Sequence, residues 1–550
     1  MSAELLEGGG ILAATGLACA AILLPPSRRR SVAMVAALAL VPILVLGDQW
    51  DSARIVALRD TPWRVLVGLV LAAAAIGTGT ALFRRWPWLI PLAIAAALPF
   101  RVPLQAGGDQ ANLLLPLYLV IAAGVVYVAL RDCRPAATAV AAPPEPAASG
   151  GSSSGAAAPD PSATAATPPA TSGACRWLPR LIAVAVALYG LQALYSADTA
   201  VALLDIGFFL VPFSLVFVLV REAAWTPRLL FTLVAVFAVE ALVFSLFGFW
   251  EYLAETLIWN PEVIRANEFH TYFRVNSLFW DPNMFGRHLA LVIVALTTLL
   301  LWSCRTRTIA IVAGLIAILW LALVTTFSLS SFGALLAGLA VLAGLRWSAR
   351  WAGAAVAICL IVLGLFALFD GGILETERGL NNRTSGRGDL ITGGLELFAD
   401  RPVRGHGSAS FSKVYLQDVA GGEAPVSESH TEPVTVAVEQ GLPGLAVYLA
   451  LLAVALVAMG SGLRGRVPGL GGDGDTSPYT LARAAILAAF VALLVHTMSY
   501  AGFLEDPVTW LLLGLACALP AAARDVPAAA AGPAQAPAAP GGRATRQTFG

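Results

Sequence analysis

Residues 229–250 read LLFTLVAVFAVEALVFSLFGFW, with Glu240 as their one charged side chain. About 20 apolar residues in a row are what a helix needs to cross the hydrocarbon core of a bilayer. Runs of this kind recur along most of the chain, and nothing in the sequence constrains the fold more. Inside hydrocarbon every backbone N–H and C=O must be paired without water, so only helices and closed barrels span it. Barrel strands read as short alternating segments, and these runs do not alternate. The 550 residues are therefore expected to form an all-α, polytopic membrane protein with about 12–15 transmembrane helices and one large extracytoplasmic loop. The 12% share of charged residues agrees, being about half that of a soluble domain.

The candidate spans are 9–25, 31–47, 64–82, 86–100, 112–130, 177–195, 200–220, 227–252, 283–302, 308–326, 331–346, 351–369, 442–460, 480–500 and 507–522. The run at 86–100 is short enough to be re-entrant. Arginines orient the set, because short cytoplasmic loops are enriched in Lys and Arg. Every second loop is basic: Arg28–Arg30, Arg84/Arg85, Arg131/Arg134/Arg176, Arg221/Arg228, Arg305/Arg307, Arg346/Arg350 and Arg464/Arg466. The short loops 196–199, 327–330 and 501–506 carry neither Lys nor Arg. This places the N-terminus outside and the C-terminus inside. The acidic start, MSAELLEGGG, lacks the basic region of a cleaved signal peptide, so the first run reads as a retained helix.

The sequence divides into membrane helices over 1–134, an Ala/Pro/Ser/Gly linker at 135–174, further spans over 175–369, a large outer loop at 370–441, closing spans over 442–524 and a tail at 525–550. Linker and tail lack the apolar content to form a core and read as disordered cytoplasmic segments. Net charge is zero, which gives no electrostatic footprint for nucleic acid. The six cysteines show neither a metal-ligand spacing nor a disulfide framework. GLGGDGDTS at 469–477 lacks the Lys-Ser/Thr of a phosphate loop and reads as a flexible inner loop.

Arg265, Arg274, Arg383, Arg387, Arg401 and Arg404 sit on the outer side, which is otherwise poor in arginine. Long loops translocate regardless of charge, and these side chains could simply pair with nearby carboxylates. Alternatively they bind an anion, since a guanidinium fork grips phosphate bidentately. In RVNSLFWDPNMFGRHLALV, 274–292, Asp281, Pro282 and Asn283 make a helix start. Residues 388–399 fit a surface amphipathic helix ended near Pro402. Glu240 and Asp205 are carboxylates inside spans, a mark of ion pathways or of hydrogen bonds to a neighbouring helix. In SESHTEPVTVAVEQGLPGL, 427–445, His430 lies between Glu428 and Glu432. A span starting at Leu442 leaves 433–440 as a short outer helix and His430 facing an outer vestibule; most lone histidines near two glutamates are only solvated loop residues.

Three segments together, RVNSLFWDPNMFG, TSGRGDLITGGLELFADRPVRGHGSASF and SHTEPVTVAVEQGLPGLAVYL, resemble the O-antigen ligase/polymerase superfamily. The matching positions are Arg274, Pro282 and Asn283; Arg387; Pro402, Gly405, Gly407 and Phe411; and His430, Glu439, Gly441 and Gly444. One departure is Ser331, where the family usually has arginine; Thr431 stands where asparagine is common. The resemblance implies an inverting glycosyltransferase with no cofactor and no metal. Its donor would be a glycan on undecaprenyl pyrophosphate, and its acceptor a hydroxyl on a second glycan or on a surface anchor. It implies His430 and Arg274 as catalytic, Arg387, Arg287 and Arg404 on the pyrophosphate, and Asn283, Glu439, Gly405 and Gly407 as supporting residues. The setting would be the inner membrane and surface polysaccharide assembly, with partners among lipid-linked oligosaccharides, acceptor glycans and membrane lipids. Two other classes compete: a transporter or flippase relying on Glu240 and Asp205, and a catalytically degenerate scaffold, suggested by Ser331.

Overall fold

The computed structural model describes residues 2–106, 109–133, 173–258, 260–269, 272–302, 305–348, 350–353, 387–421, 429–472 and 474–522. The chain is a polytopic helical membrane protein. Among the described residues, eleven helices are long and apolar enough to cross a membrane, and two shorter apolar ones, Glu7–Leu23 and Pro507–Leu519, accompany them. In chain order the helices are α1 (Ser2–Leu23), α2 (Arg28–Asp48), α3 (Ala53–Arg59), α4 (Pro62–Arg85), α5 (Leu89–Ala97), α6 (Leu115–Asp132), α7 (Gly173–Ala193), α8 (Thr199–Arg221), α9 (Pro227–Ala254), α10 (Pro261–Phe269), α11 (Pro282–Trp302), α12 (Thr306–Thr325), α13 (Leu329–Arg346), α14 (Arg387–Asp400), α15 (Phe411–Asp418), α16 (Glu432–Gly460), α17 (Pro478–Thr497) and α18 (Pro507–Ala522). Past residue 353, the expected span at 351–369 lies outside the described residues. So do Arg378, Arg383, Glu428, nearly all of the linker and the whole tail.

Four spans start the same way, with a side-chain oxygen followed by proline. Thr226 caps α9, Asp281 accepts the Asn283 N–H at 2.6 Å, Ser477 caps α17, and Asp506 accepts the Val508 N–H at 2.9 Å. The oxygen satisfies an orphan N–H of the first turn, and proline lacks the donor that would otherwise go unpaired. In 469–477, Asp475 has a similar role: it accepts from the Ser477 N–H and from the Thr480 hydroxyl at 2.8 Å each.

The short run at 86–100 yields only nine helical residues, α5, about 14 Å of helix. In the turn that follows, the Phe100 ring meets Phe244 edge-on and Arg101 lines a cavity with Arg287 and Asp506. A two-stranded antiparallel hairpin, β1 (Val102–Ala106) and β2 (Asp109–Leu113), then leads back to α6, with Val102 opposite Leu113.

The arginines that orient the spans also stitch them together. Arg30, fully buried, donates to both carboxylate oxygens of Glu222 and lies 3.7 Å from Asp132. Arg131 joins the same Glu222 at 3.3 Å, and Arg221 donates to the Ile22 carbonyl. One cluster thereby fastens α1, α2, α6 and α8 at the arginine-rich end. Removing one partner of a buried pair leaves the other charge uncompensated, at about 3–5 kcal/mol. Arg30→Ala is therefore expected to lower the unfolding temperature in detergent by about 3–4 °C. An unchanged melting curve would refute the role.

α8 is enclosed on nearly all sides, with Val211 and Phe213 through Val218 at 0% exposure. It contains a π-helical turn, Ile206–Leu210, directly after Asp205. The Asp205 carboxylate accepts the Tyr189 hydroxyl of α7 at 2.8 Å, a hydrogen bond to a neighbouring helix. Glu240 differs: one of its oxygens is buried with no hydrogen-bond partner among the described residues.

Candidate active site

The helix that carries the His430 segment is broken. In α16, Gly441 has φ +64° and ψ −165°, which separates 432–440 from the membrane run that follows. A break leaves the last carbonyls of the first piece without helical partners, and buried carbonyls must be paired. Residues 402–407 supply the pairing. The His406 N–H donates to the Val438 carbonyl at 3.0 Å and the Gly407 N–H to that of Glu439 at 2.8 Å. The Leu442 N–H returns a bond to the Pro402 carbonyl at 2.7 Å. From α7, Gln192 Nε2 donates to the Gln440 carbonyl at 2.9 Å.

Glycine is required where these strands of chain touch. Gly405 (φ +69°) faces the Glu439 carbonyl so closely that a Cβ would overlap it, and a Cβ on Gly441 would overlap the Val403 carbonyl. The Glu439 carboxylate completes the clasp, accepting the Ala409 N–H at 3.0 Å and the Phe411 N–H at 3.2 Å. Glu439 thus holds the loop. Below it, Leu397, Phe411, Val414, Tyr415 and Val438 pack α14 and α15 onto α16. Gly441→Ala combines a strain of about 1–3 kcal/mol, in a backbone region essentially confined to glycine, with that overlap. It is expected to open the clasp, read as proteolytic cleavage within 402–421 that the parent resists; equal resistance would count against it.

Arg274 sits at the same end. Its Nε donates to the Thr326 carbonyl at 3.0 Å and its Nη2 to Asn283 Oδ1 at 3.3 Å. Asn267 grips its backbone from both sides, accepting the Arg274 N–H and donating to the Arg274 carbonyl, each at 3.0 Å. The Asn283 oxygen also accepts the Ser328 hydroxyl at 2.8 Å. From Ser328 a chain of hydroxyls runs to Ser331 at 2.8 Å and Ser330 at 3.1 Å, and Ser330 lies 3.4 Å from Nε2 of buried His496. Ser331 is wholly buried against Gly286, so it faces the helix interface between α11 and α13.

His430 is half-buried with φ +55°, a conformation that costs a non-glycine residue about 1–2 kcal/mol. Its neighbours fix it. The Ser429 hydroxyl bonds Thr435 at 2.7 Å, and the Thr431 hydroxyl reaches the Met498 carbonyl at 3.3 Å, just past the end of α17 that carries His496. The Glu432 carboxylate accepts the Gly502 and Phe503 N–H groups at 2.6 and 3.1 Å.

The remaining sequence candidates scatter. Arg287 is buried in an ion pair with Asp506 at 2.9 Å. Arg404 is exposed, with its guanidinium 4.5 Å above the Tyr195 ring. Arg387 opens α14, and its side chain lies outside the described part. His496, Ser328 and Ser330 were not singled out in the sequence. Their signal, a histidine at the end of a span and the run SLSS at the start of another, becomes visible only when α13 and α17 are paired.

Residues 314–449, which contain the whole clasp and His430, match the family model described as O-antigen ligase. The chain carries an O-antigen ligase family domain. The domain match stops short of Arg274 and Asn283, which join it through Thr326 and Ser328. No curated protein matches the chain. That family implies ligase- or polymerase-type function.

Proposed function

We propose that the protein moves a glycan from an undecaprenyl-pyrophosphate-type carrier to an acceptor hydroxyl, as a polysaccharide polymerase or ligase of the inner membrane. The long-loop end then faces the extracytoplasmic space. The observation that carries this reading is Arg274: a half-buried guanidinium fixed by Thr326 and Asn283 at the end that also presents His430.

In the proposed reaction His430 takes the proton of the acceptor hydroxyl, and that oxygen forms a bond to the anomeric carbon as the carbon–oxygen bond to pyrophosphate breaks. Attack from the face opposite the leaving group inverts the anomeric centre. The lipid pyrophosphate leaves with the bonding pair, and Arg274 meets the growing negative charge. A fixed donor aimed at developing charge needs no reorganisation when the bond breaks. Arg404, within the clasp loop, and Arg387, at the start of α14, are proposed to attract the anionic donor. Neither nucleotide nor metal is required.

The test is purified protein with lipid-linked oligosaccharide, the products sized. Longer chains or acceptor-linked glycan should appear without nucleotide and in the presence of EDTA. Donor that stays intact while vesicles take up substrate in a Glu240-dependent way would replace this reading with transport.

A further inference from the structure

The hydroxyl chain that starts at Arg274 has a direction, and counting hydrogens gives it. A guanidinium only donates, so the oxygen of the Asn283 amide faces Arg274, at 3.3 Å. The same oxygen takes the one hydroxyl hydrogen of Ser328, at 2.8 Å. Ser328 has none left for Ser330, 3.1 Å away, so Ser330 donates to Ser328. With its own hydrogen spent, Ser330 can only accept from the next group, Nε2 of His496 at 3.4 Å. His496 therefore carries hydrogen on Nε2. Ser331 leaves the count intact, because a second lone pair of Ser328 is open to its hydroxyl at 2.8 Å.

The chain has one other register. In it the Asn283 NH2 donates to Ser328, Ser328 to Ser330, and Ser330 to a bare Nε2. That register turns an amide N–H toward the guanidinium N–H of Arg274, and the cation selects against it. The Nε2 hydrogen of His496 thus marks the register in which Arg274 has an acceptor. His496 is wholly buried in the last turn of α17. A buried donor left unpaired costs about 1–3 kcal/mol, which holds Ser330 in its accepting role. The same helix end reaches the other proposed catalytic residue. The Thr431 hydroxyl, next to His430, donates to the carbonyl of Met498, two residues past His496.

We propose that His496 is a positioning residue for Arg274, acting through Ser330, Ser328 and Asn283. Its Nε2–H heads the chain and keeps the Asn283 oxygen turned to the guanidinium. Arg274 is thereby held at the angle from which it meets the leaving group. The end of α17 then sets the spacing between Arg274 and His430. The effect on rate rests on the proposed function; the direction of the chain does not.

The experiment has two readouts on the full chain. Solid-state NMR with ¹⁵N-labelled histidine in lipid bilayers tells protonated ring nitrogens from bare ones. The protein has five histidines, and His496→Gln identifies the signal by its loss. Hydrogen on Nε2 is expected, and a bare Nε2 overturns the proposal. Arg274→Ala removes the cation that selects the register and is expected to move that signal; an unmoved signal also overturns it. The second readout is single-turnover transfer at saturating donor. His496→Leu and Ser330→Ala are each expected to lose about tenfold, within the range that misplacing a catalytic group costs. They should lose no more when combined, and nothing further in the Arg274→Ala background. His496→Gln, which offers an N–H at the reach of Nε2, is expected to recover most of what His496→Leu loses. Ser330→Ala removes one oxygen and serves if His496→Leu fails to fold. Parent rates in the folded variants, no recovery in His496→Gln, or losses that multiply with Arg274→Ala overturn the proposal and spare the proposed function. A parent protein that transfers nothing sinks the proposed function, and the Nε2 signal alone then decides the chain.

Discussion

Replacing His430 with alanine is expected to slow glycan transfer by about 10²–10⁴-fold, the usual contribution of a positioned general base. The expectation rests on how the residue is held. A left-handed histidine is strained, and strain of this kind persists where surrounding structure enforces it. Here Ser429 is tied to Thr435, and Thr431 to Met498. His430→Asn keeps a polar ring-sized group and loses proton transfer. A time course with lipid-linked oligosaccharide in which that variant matches the parent rate would remove His430 from the chemistry. Binding of the donor should change little in either variant.

Arg274→Ala is expected to cost about 10²–10³-fold in transfer rate, the scale found when one donor to developing charge is deleted. Arg274→Lys should recover only part of it. A lysine carries the charge as a compact point and has no planar fork, so it cannot hold Thr326 and Asn283 while offering an edge to pyrophosphate. Asn283→Ala should give a smaller loss of the same kind, because it frees the guanidinium without removing it. Single-turnover rates at saturating donor measure this directly. A full rate in Arg274→Ala would mean that the leaving group is met by other residues.

The sequence exposed the membrane spans because hydrocarbon demands long apolar runs, and it exposed their direction because arginine stays on one side. It also displayed the clasp as two motifs. It could not display that they bond to each other, since the pairing joins His406 to Val438 and Gly407 to Glu439 through backbone groups that any residues possess. Arg287 is a further case. The resemblance implied it on the pyrophosphate, and the sequence could not display its ion pair with Asp506, which lies far along the chain at the start of another helix. Glu432 likewise looked like a neighbour for His430, yet the turn at Gly502 claims its carboxylate. Ser331, which stood out as a missing arginine, proves to be a buried contact with Gly286. Long-range pairing decides each of these cases, and local pattern carries no record of it.

The clasp between 402–407 and 438–442 is tied chiefly by main-chain groups, so it is indifferent to the exposed side chain at Val403. That position forms a replaceable rim on a permanent mount. A lineage meeting a new sugar polymer can rewrite it without refolding the loop. Diversity among such proteins should therefore collect on that rim while the glycines beneath it stay fixed.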